Sequence, residues 1–108
     1  MSSICSTYWV RIYIAGCSSI IKQLCNNFCK ENTICVNVQD TEYIYDGGQE
    51  KGAIIEFINY PKSSKDPLTL SGKATYLAQY LLEKLNQNSC TVMTPESSFY
   101  HTRKVDHA

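Results

Sequence analysis

Between Thr33 and Pro61, two alternating runs rich in β-branched residues and tyrosine flank Asp46-Gly47-Gly48, and segments with helical spacing lie on either side. Strand residues alternate between two faces while helical residues recur every three to four positions, so the two periods can be separated by inspection. In chain order they read strand, helix, strand, strand, helix, strand. A chain of 108 residues has room for one domain around a single core.

The first strand runs from Tyr8 to Ala15, with Val10, Ile12 and Ile14 on one face and Trp9, Arg11 and Tyr13 on the other. Gly16 ends it, and Ser18 or Ser19 offers a hydroxyl to cap the following helix. That helix carries Ile20, Ile21, Leu24, Cys25, Phe28 and Cys29 as one apolar stripe and leaves at Asn32. The second strand starts at Thr33 with Ile34, Val36 and Val38 on one face, breaks its pattern near Gln39-Asp40 and resumes at Tyr43-Ile44-Tyr45, which predicts a bulge or bend. Three glycines between Asp46 and Gly52 predict a hairpin loop leading to a third strand, Ala53 to Tyr60. Asp66-Pro67 marks a helix start, with an oxygen cap and proline at the first helical position. The stripe Leu70, Ala74, Leu77, Ala78, Leu81 and Leu85 continues that helix, and Ser89 to Thr94 forms a short fourth strand. Residues 1–7 and about 104–108 are expected to fray, as chain ends do unless docked.

Two helices on one face of a four-stranded antiparallel sheet is an α+β, ferredoxin-like arrangement. Parity then places Trp9, Arg11, Tyr13, Cys35 and Asn37 on the open face, where an exposed Trp and Tyr predict a cover or a partner.

Ten basic and ten acidic residues cancel, so no global field attracts a polyanion or an anionic membrane. No apolar run approaches the roughly 20 residues that span a bilayer, and no export signal is evident, so a cytoplasmic setting is expected. In that setting the six cysteines, Cys5, Cys17, Cys25, Cys29, Cys35 and Cys90, are expected as free thiols. Cys25 and Cys29 lie on the apolar stripe without the short-spaced C-x-x-C pair of a zinc site, which assigns them to packing. Cys17 opens a helix N-terminus that favours thiolate, but a nucleophile needs an adjacent base, and His101 and His107 sit far away in the tail. These patterns supply no catalytic residue, metal site or cofactor.

Three resemblances bear on function. Ile12-Tyr13-Ile14-Ala15-Gly16-Cys17 resembles the strand-one hexapeptide of RNA-recognition motifs, and Lys51-Gly52-Ala53-Ile54-Ile55-Glu56-Phe57 is similar to a shortened strand-three octapeptide of that family. The resemblance implies single-stranded RNA stacked on Tyr13, although Ala53 and Ile54 stand where further rings belong. Arg11 to Gly16, with Asp46-Gly47 and Gly52 to Glu56, looks like parts of nucleoside deoxyribosyltransferases. That likeness implies Glu56 as nucleophile at an anomeric carbon and Asp46 as a sugar or base ligand, on a helix of a parallel fold. Finally, Tyr13 to Gly16, Cys35 to Val38, Tyr43 to Gly48 and Ile58 to Pro61 resemble small phage or prophage accessory proteins that modulate host defence, a likeness that assigns no residue a role.

The leading expectation is a non-enzymatic protein that binds a host protein partner through Tyr43, Tyr45 and Asp46, with Glu50 and Lys51 as polar rim. Trp9, Arg11 and Tyr13 form a second surface, suited to a homodimer. The alternatives are a nucleotide signal held by the amides of the glycine loop, nucleoside-type glycosidic chemistry, and single-stranded RNA on the open face.

Overall fold

The computed structural model describes residues 2–103. Its elements are β1 (Trp9–Ala15), α1 (Ser18–Asn32), β2 (Asn37–Tyr45), β3 (Gly48–Ile58), a 3-10 turn (Pro61–Ser63), α2 (Pro67–Leu85), β4 (Ser89–Met93) and β5 (Ser98–Thr102). The strands form one antiparallel sheet in the order β2-β3-β1-β4-β5. The α+β class, with two helices and an antiparallel sheet, is as expected. The sheet has five strands among the described residues, not four.

β5 arises from the segment read as polar tail. It pairs with β4 from Ser89↔Thr102 to Met93↔Ser98, and the Thr94 hydroxyl closes the connecting turn by accepting the amides of Glu96 and Ser97. Phe99 and Tyr100 both stay exposed, so this strand buries no apolar face and leaves no hydrophobic alternation in the sequence. The remainder of the predicted tail, residues 104–108, lies outside the described residues.

The core follows the predicted parity. Val10, Ile12 and Ile14 of β1, Ala53, Ile55 and Phe57 of β3, and Val92 of β4 meet Ile21, Cys25 and Phe28 of α1 and the Leu70 to Leu82 stripe of α2. α2 lies across β1 and β4, while α1 lies against β3 and α2. Each fully buried aliphatic or aromatic side chain contributes roughly 1.5–3 kcal/mol. Slipping β1 by one residue would exchange Ile12 for Arg11 or Tyr13 in that core, a change the burial energy forbids.

The helix starts differ in detail from expectation. Cys17, not Ser18 or Ser19, is the N-cap residue of α1, and Asp66 caps α2 without a side-chain bond to the backbone, accepting the Thr69 hydroxyl instead. Pro67 does occupy the start of α2. Thr33 and Asn86 end the two helices in the left-handed conformation.

The β2–β3 hairpin corrects two expectations. Pairing runs unbroken from Asn37↔Glu56 to Tyr45↔Gly48, with no bulge at Gln39-Asp40. The break in pattern has another cause: Asp40, on the helix side, pairs with Lys22 of α1 at 3.0 Å, and beyond it the hairpin outruns the helices. Ile44 shares the helix-side parity yet is 78% exposed. The turn is only Asp46-Gly47, with Gly47 at φ 91, so Gly48 to Gly52 is strand where a loop was expected.

Asn59 ties the N-terminal segment to the core. Its Nδ2 donates to the Ser6 carbonyl at 3.0 Å, its Oδ1 accepts the Lys65 amide at 2.8 Å, and its own amide donates to the Tyr8 carbonyl. Because Asn59 is buried, Asn59→Ala should cost about 2–3 kcal/mol by stranding polar groups. Ile44→Ala should cost less than about 0.5 kcal/mol, as expected of an exposed position. Urea denaturation of both variants checks the contrast; equal losses would contradict it.

Candidate functional site

The register that buries Ile12 and Ile55 aligns a second set of side chains on the face the helices leave uncovered. Arg11 sits opposite Glu56 and Met93, Tyr13 opposite Ile54 and Thr91, Tyr43 opposite Glu50, and Thr91 opposite Tyr100. The face has two ends. At one, Trp9, Arg11, Asn37 and Glu56 interlock. At the other, a cavity of about 300 Å³ is lined by Tyr13, Tyr43, Tyr45, Glu50, Thr91 and Tyr100, among others.

Glycines shape the tyrosine end. A side chain on Gly52 would place its Cβ 2.6 Å from Tyr43 Cε2, and one on Gly48 would stand 3.0 Å from Tyr45 Cε2. Each ring therefore lies on a strand position that has no side chain. Tyr43 Oη donates to the Ala53 carbonyl at 2.9 Å, and burial pushes its pKa up to about 12. Tyr45 Oη donates to Glu50 Oε1 at 3.1 Å, and that carboxylate raises the tyrosine's pKa. With its hydroxyl proton committed to a backbone carbonyl, Tyr43 is no acid or base near neutrality. What this end offers a ligand is a carboxylate among several tyrosine side chains, a combination that suits a cation joined to a planar group.

The fold is shared with solved phage SAM lyases. A phage SAM lyase in its apo state matches with a TM-score of 0.70 and 16% identity over 93% of this chain and 92% of that one. A phage SAM lyase in complex with S-methyl-5′-thioadenosine matches with a TM-score of 0.64 and 15% identity over 94% of each chain. At this identity the likeness to the lyases is one of fold. Both come from phage, the source class to which the third sequence resemblance points. No protein-family model matches the chain, and no curated protein matches it in sequence.

Of the partner-binding residues expected from sequence, the structure brings together Tyr43, Tyr45 and Glu50, and adds Tyr13 from the other predicted surface. Asp46 stands apart at the exposed turn. Lys51 pairs with Glu42 in the register and, by alternation, faces away from Glu50, where it lines a different cavity with Ser18 and Asp40. Thr91 and Tyr100 were missed as site residues because their strands come together only through β4–β5 pairing. The exposed aromatic at Tyr100 was the available signal.

At the other end, Arg11 Nε donates to Glu56 Oε2 at 2.6 Å, Asn37 Nδ2 donates to Oε1 at 2.9 Å, and the guanidinium stacks 4.1 Å from the Trp9 ring centroid. Asn37 first, then Arg11, holds the Glu56 carboxyl below the usual glutamate range. Glu56 thus has both oxygens engaged, on an antiparallel strand and not on the helix that deoxyribosyltransferase likeness implies. Tyr13 does lie on the open face, but its β3 partner is Ile54 and Ala53 is in the core, so β3 adds no ring there to an RNA-stacking platform.

The cysteines are all free thiols. Burial pushes Cys25 up to about 12 and Cys90 up to about 11, and no three His, Cys, Asp or Glu side chains converge as a metal site among the described residues. Exposed Cys17 is shifted the other way, first by its 3.1 Å contact with the Ser19 hydroxyl and then by the Ile20 and Ser19 amides. No described helix is long and apolar enough to cross a membrane.

Two outcomes follow. Because Glu56 has a depressed pKa in the folded state, its contribution to stability is present above the unfolded value of about 4.3 and is lost as pH falls through the folded value. Glu56→Gln should therefore lower Tm at pH 7, with the gap to the parent closing below about pH 4; a pH-independent gap in calorimetry would contradict the assignment. Iodoacetamide at neutral pH should label Cys17 faster than Cys35, and Cys25 and Cys90 only after unfolding, as peptide mass spectrometry would show.

Proposed function

We propose that this chain cleaves S-adenosylmethionine at the tyrosine end of its uncovered sheet face, with Glu50 holding a positive group of the substrate among Tyr13, Tyr43, Tyr45 and Tyr100. The observation that carries this reading is the coincidence of two features. One is a fold shared with phage SAM lyases over nearly the whole chain; the other is a carboxylate set among tyrosine rings on the face the helices leave open. The first four strands are read here as a ferredoxin-like frame that presents this face, and Trp9, Arg11 and Tyr13 as a surface for self-association.

The chemistry asks little of the protein. The sulfonium carries its own leaving group: the bond from sulfur to the γ-carbon breaks, and S-methyl-5′-thioadenosine departs with the electron pair. The substrate's carboxylate oxygen attacks that carbon from the opposite side and closes a five-membered lactone. No water, metal or external base is consumed. The protein's task is to fold the chain of the substrate into the attacking geometry, where orientation alone removes much of the barrier. Loss of S-adenosylmethionine would deprive host methyl-transfer reactions of their donor, one chemical route to the modulation of defence.

Incubating the purified protein with S-adenosylmethionine and following S-methyl-5′-thioadenosine by mass spectrometry tests the reading. The parent should turn over, and Glu50→Gln should lower kcat/KM about 100-fold, the scale of losing one electrostatic contact at a reacting centre. An untouched substrate would overturn the proposal. A second reading, binding of a host protein without catalysis, is favoured by the exposed Ile44 and Tyr45 at the end of the projecting hairpin. It is supported if the substrate survives while Ile44→Asp abolishes co-purification of a host protein.

A further inference from the structure

We propose that the ring of Tyr43, seated on Gly52, is the specificity-determining surface of this site, selecting a sulfonium over the corresponding neutral thioether. The inference rests on the substrate reading above and names the part of the site that senses charge.

Three observations converge on Tyr43. A Cβ at Gly52 would collide with the ring and with the Ile14 carbonyl oxygen and would stand 2.9 Å from Ala15 Cα, so the ring occupies a seat available only over glycine. The hydroxyl is tied to the Ala53 carbonyl at 2.9 Å, which fixes the ring's position and removes the hydroxyl from ligand contact. The residue directly across the hairpin is Glu50, which lines the same cavity and has one oxygen engaged by Tyr45. A cation entering this cavity would therefore meet both a fixed tyrosine ring and a carboxylate among its lining groups. A neutral sulfur of the same shape would meet the same walls without the attraction.

The division of labour has a kinetic consequence. A cation over a tyrosine ring at an exposed site gains enough to change affinity about threefold. Cleavage turns the sulfonium into a thioether and removes that gain from the product, so the surface that recruits substrate also favours release of S-methyl-5′-thioadenosine.

The test compares the parent with Tyr43→Phe and Tyr43→Leu, each first checked for a folded circular-dichroism spectrum. Calorimetric affinities and steady-state constants are measured for S-adenosylmethionine, S-adenosylhomocysteine and S-methyl-5′-thioadenosine. Tyr43→Phe should retain the preference for the cation, since the ring remains. Tyr43→Leu should reduce that preference about threefold, the scale of one ring contact at an exposed site, with little change for the two neutral thioethers. The inference is overturned if Tyr43→Phe loses as much as Tyr43→Leu, or if Tyr43→Leu weakens cationic and neutral ligands equally. A parent that prefers S-adenosylmethionine but never cleaves it would sink the lyase reading and leave this one standing; a parent that binds none of the three sinks both.

Discussion

The residue-by-residue pairing of β3 with β1 on one side and β2 on the other is the constraint from which the rest of the molecule follows. It holds without interruption from Trp9↔Ile58 to Ala15↔Gly52 and from Asn37↔Glu56 to Tyr45↔Gly48. Burial of Ile12, Ile14, Ile55 and Phe57 beneath the two helices fixes its phase, because side chains alternate strictly and a slip of one residue would bring Arg11 and Glu56 inward. Once the phase is fixed, the uncovered face is fixed with it. The Arg11–Glu56–Asn37 network and the tyrosine cup are consequences of the same pairing, read from the other side.

The two ends of that face are chemically different because the helices do not cover the whole sheet. Near Glu56, charges and amides satisfy one another and Trp9 shields the guanidinium, leaving an interlocked patch. Near Glu50 the hairpin extends beyond α1, and no helix-side core recruits its side chains. Gly48 and Gly52 let the rings of Tyr45 and Tyr43 fold down onto the sheet. Glycine in a strand costs roughly 0.5–1 kcal/mol relative to alanine. The tyrosine packing offsets that cost and leaves ring surface and a carboxylate available to solvent and ligand.

Much of the frame was legible in the sequence because burial imposes periodicity. The alternation of Val10, Ile12 and Ile14, the stripe from Leu70 to Leu85 and the Asp66-Pro67 start each reflect an apolar face or a backbone constraint that the fold keeps. The errors lie where burial stops. β5 has both faces exposed along most of its length, and so carried no pattern to read. The hairpin's outer half lost its alternation because no helix lies over it, which mimicked a bulge. Gly48 and Gly52 were read as loop residues, whereas they are strand positions kept bare for neighbouring rings, a tertiary demand that glycine content alone does not reveal. The candidate site was half legible for the same reason: Tyr43, Tyr45, Glu50 and Tyr13 stood out by type and parity, while Thr91 and Tyr100 joined them only through a pairing the sequence did not announce.

A crystal structure of the protein with S-methyl-5′-thioadenosine tests the central claim most directly, since it asks whether the sheet's uncovered face is where the molecule acts. The account predicts the ligand in the cavity lined by Tyr43, Tyr45 and Glu50, with its thioether sulfur facing these side chains. Ligand density on the helix side, or in the cavity of about 400 Å³ bounded by Cys29, Cys35, Tyr60 and Lys65, would contradict it.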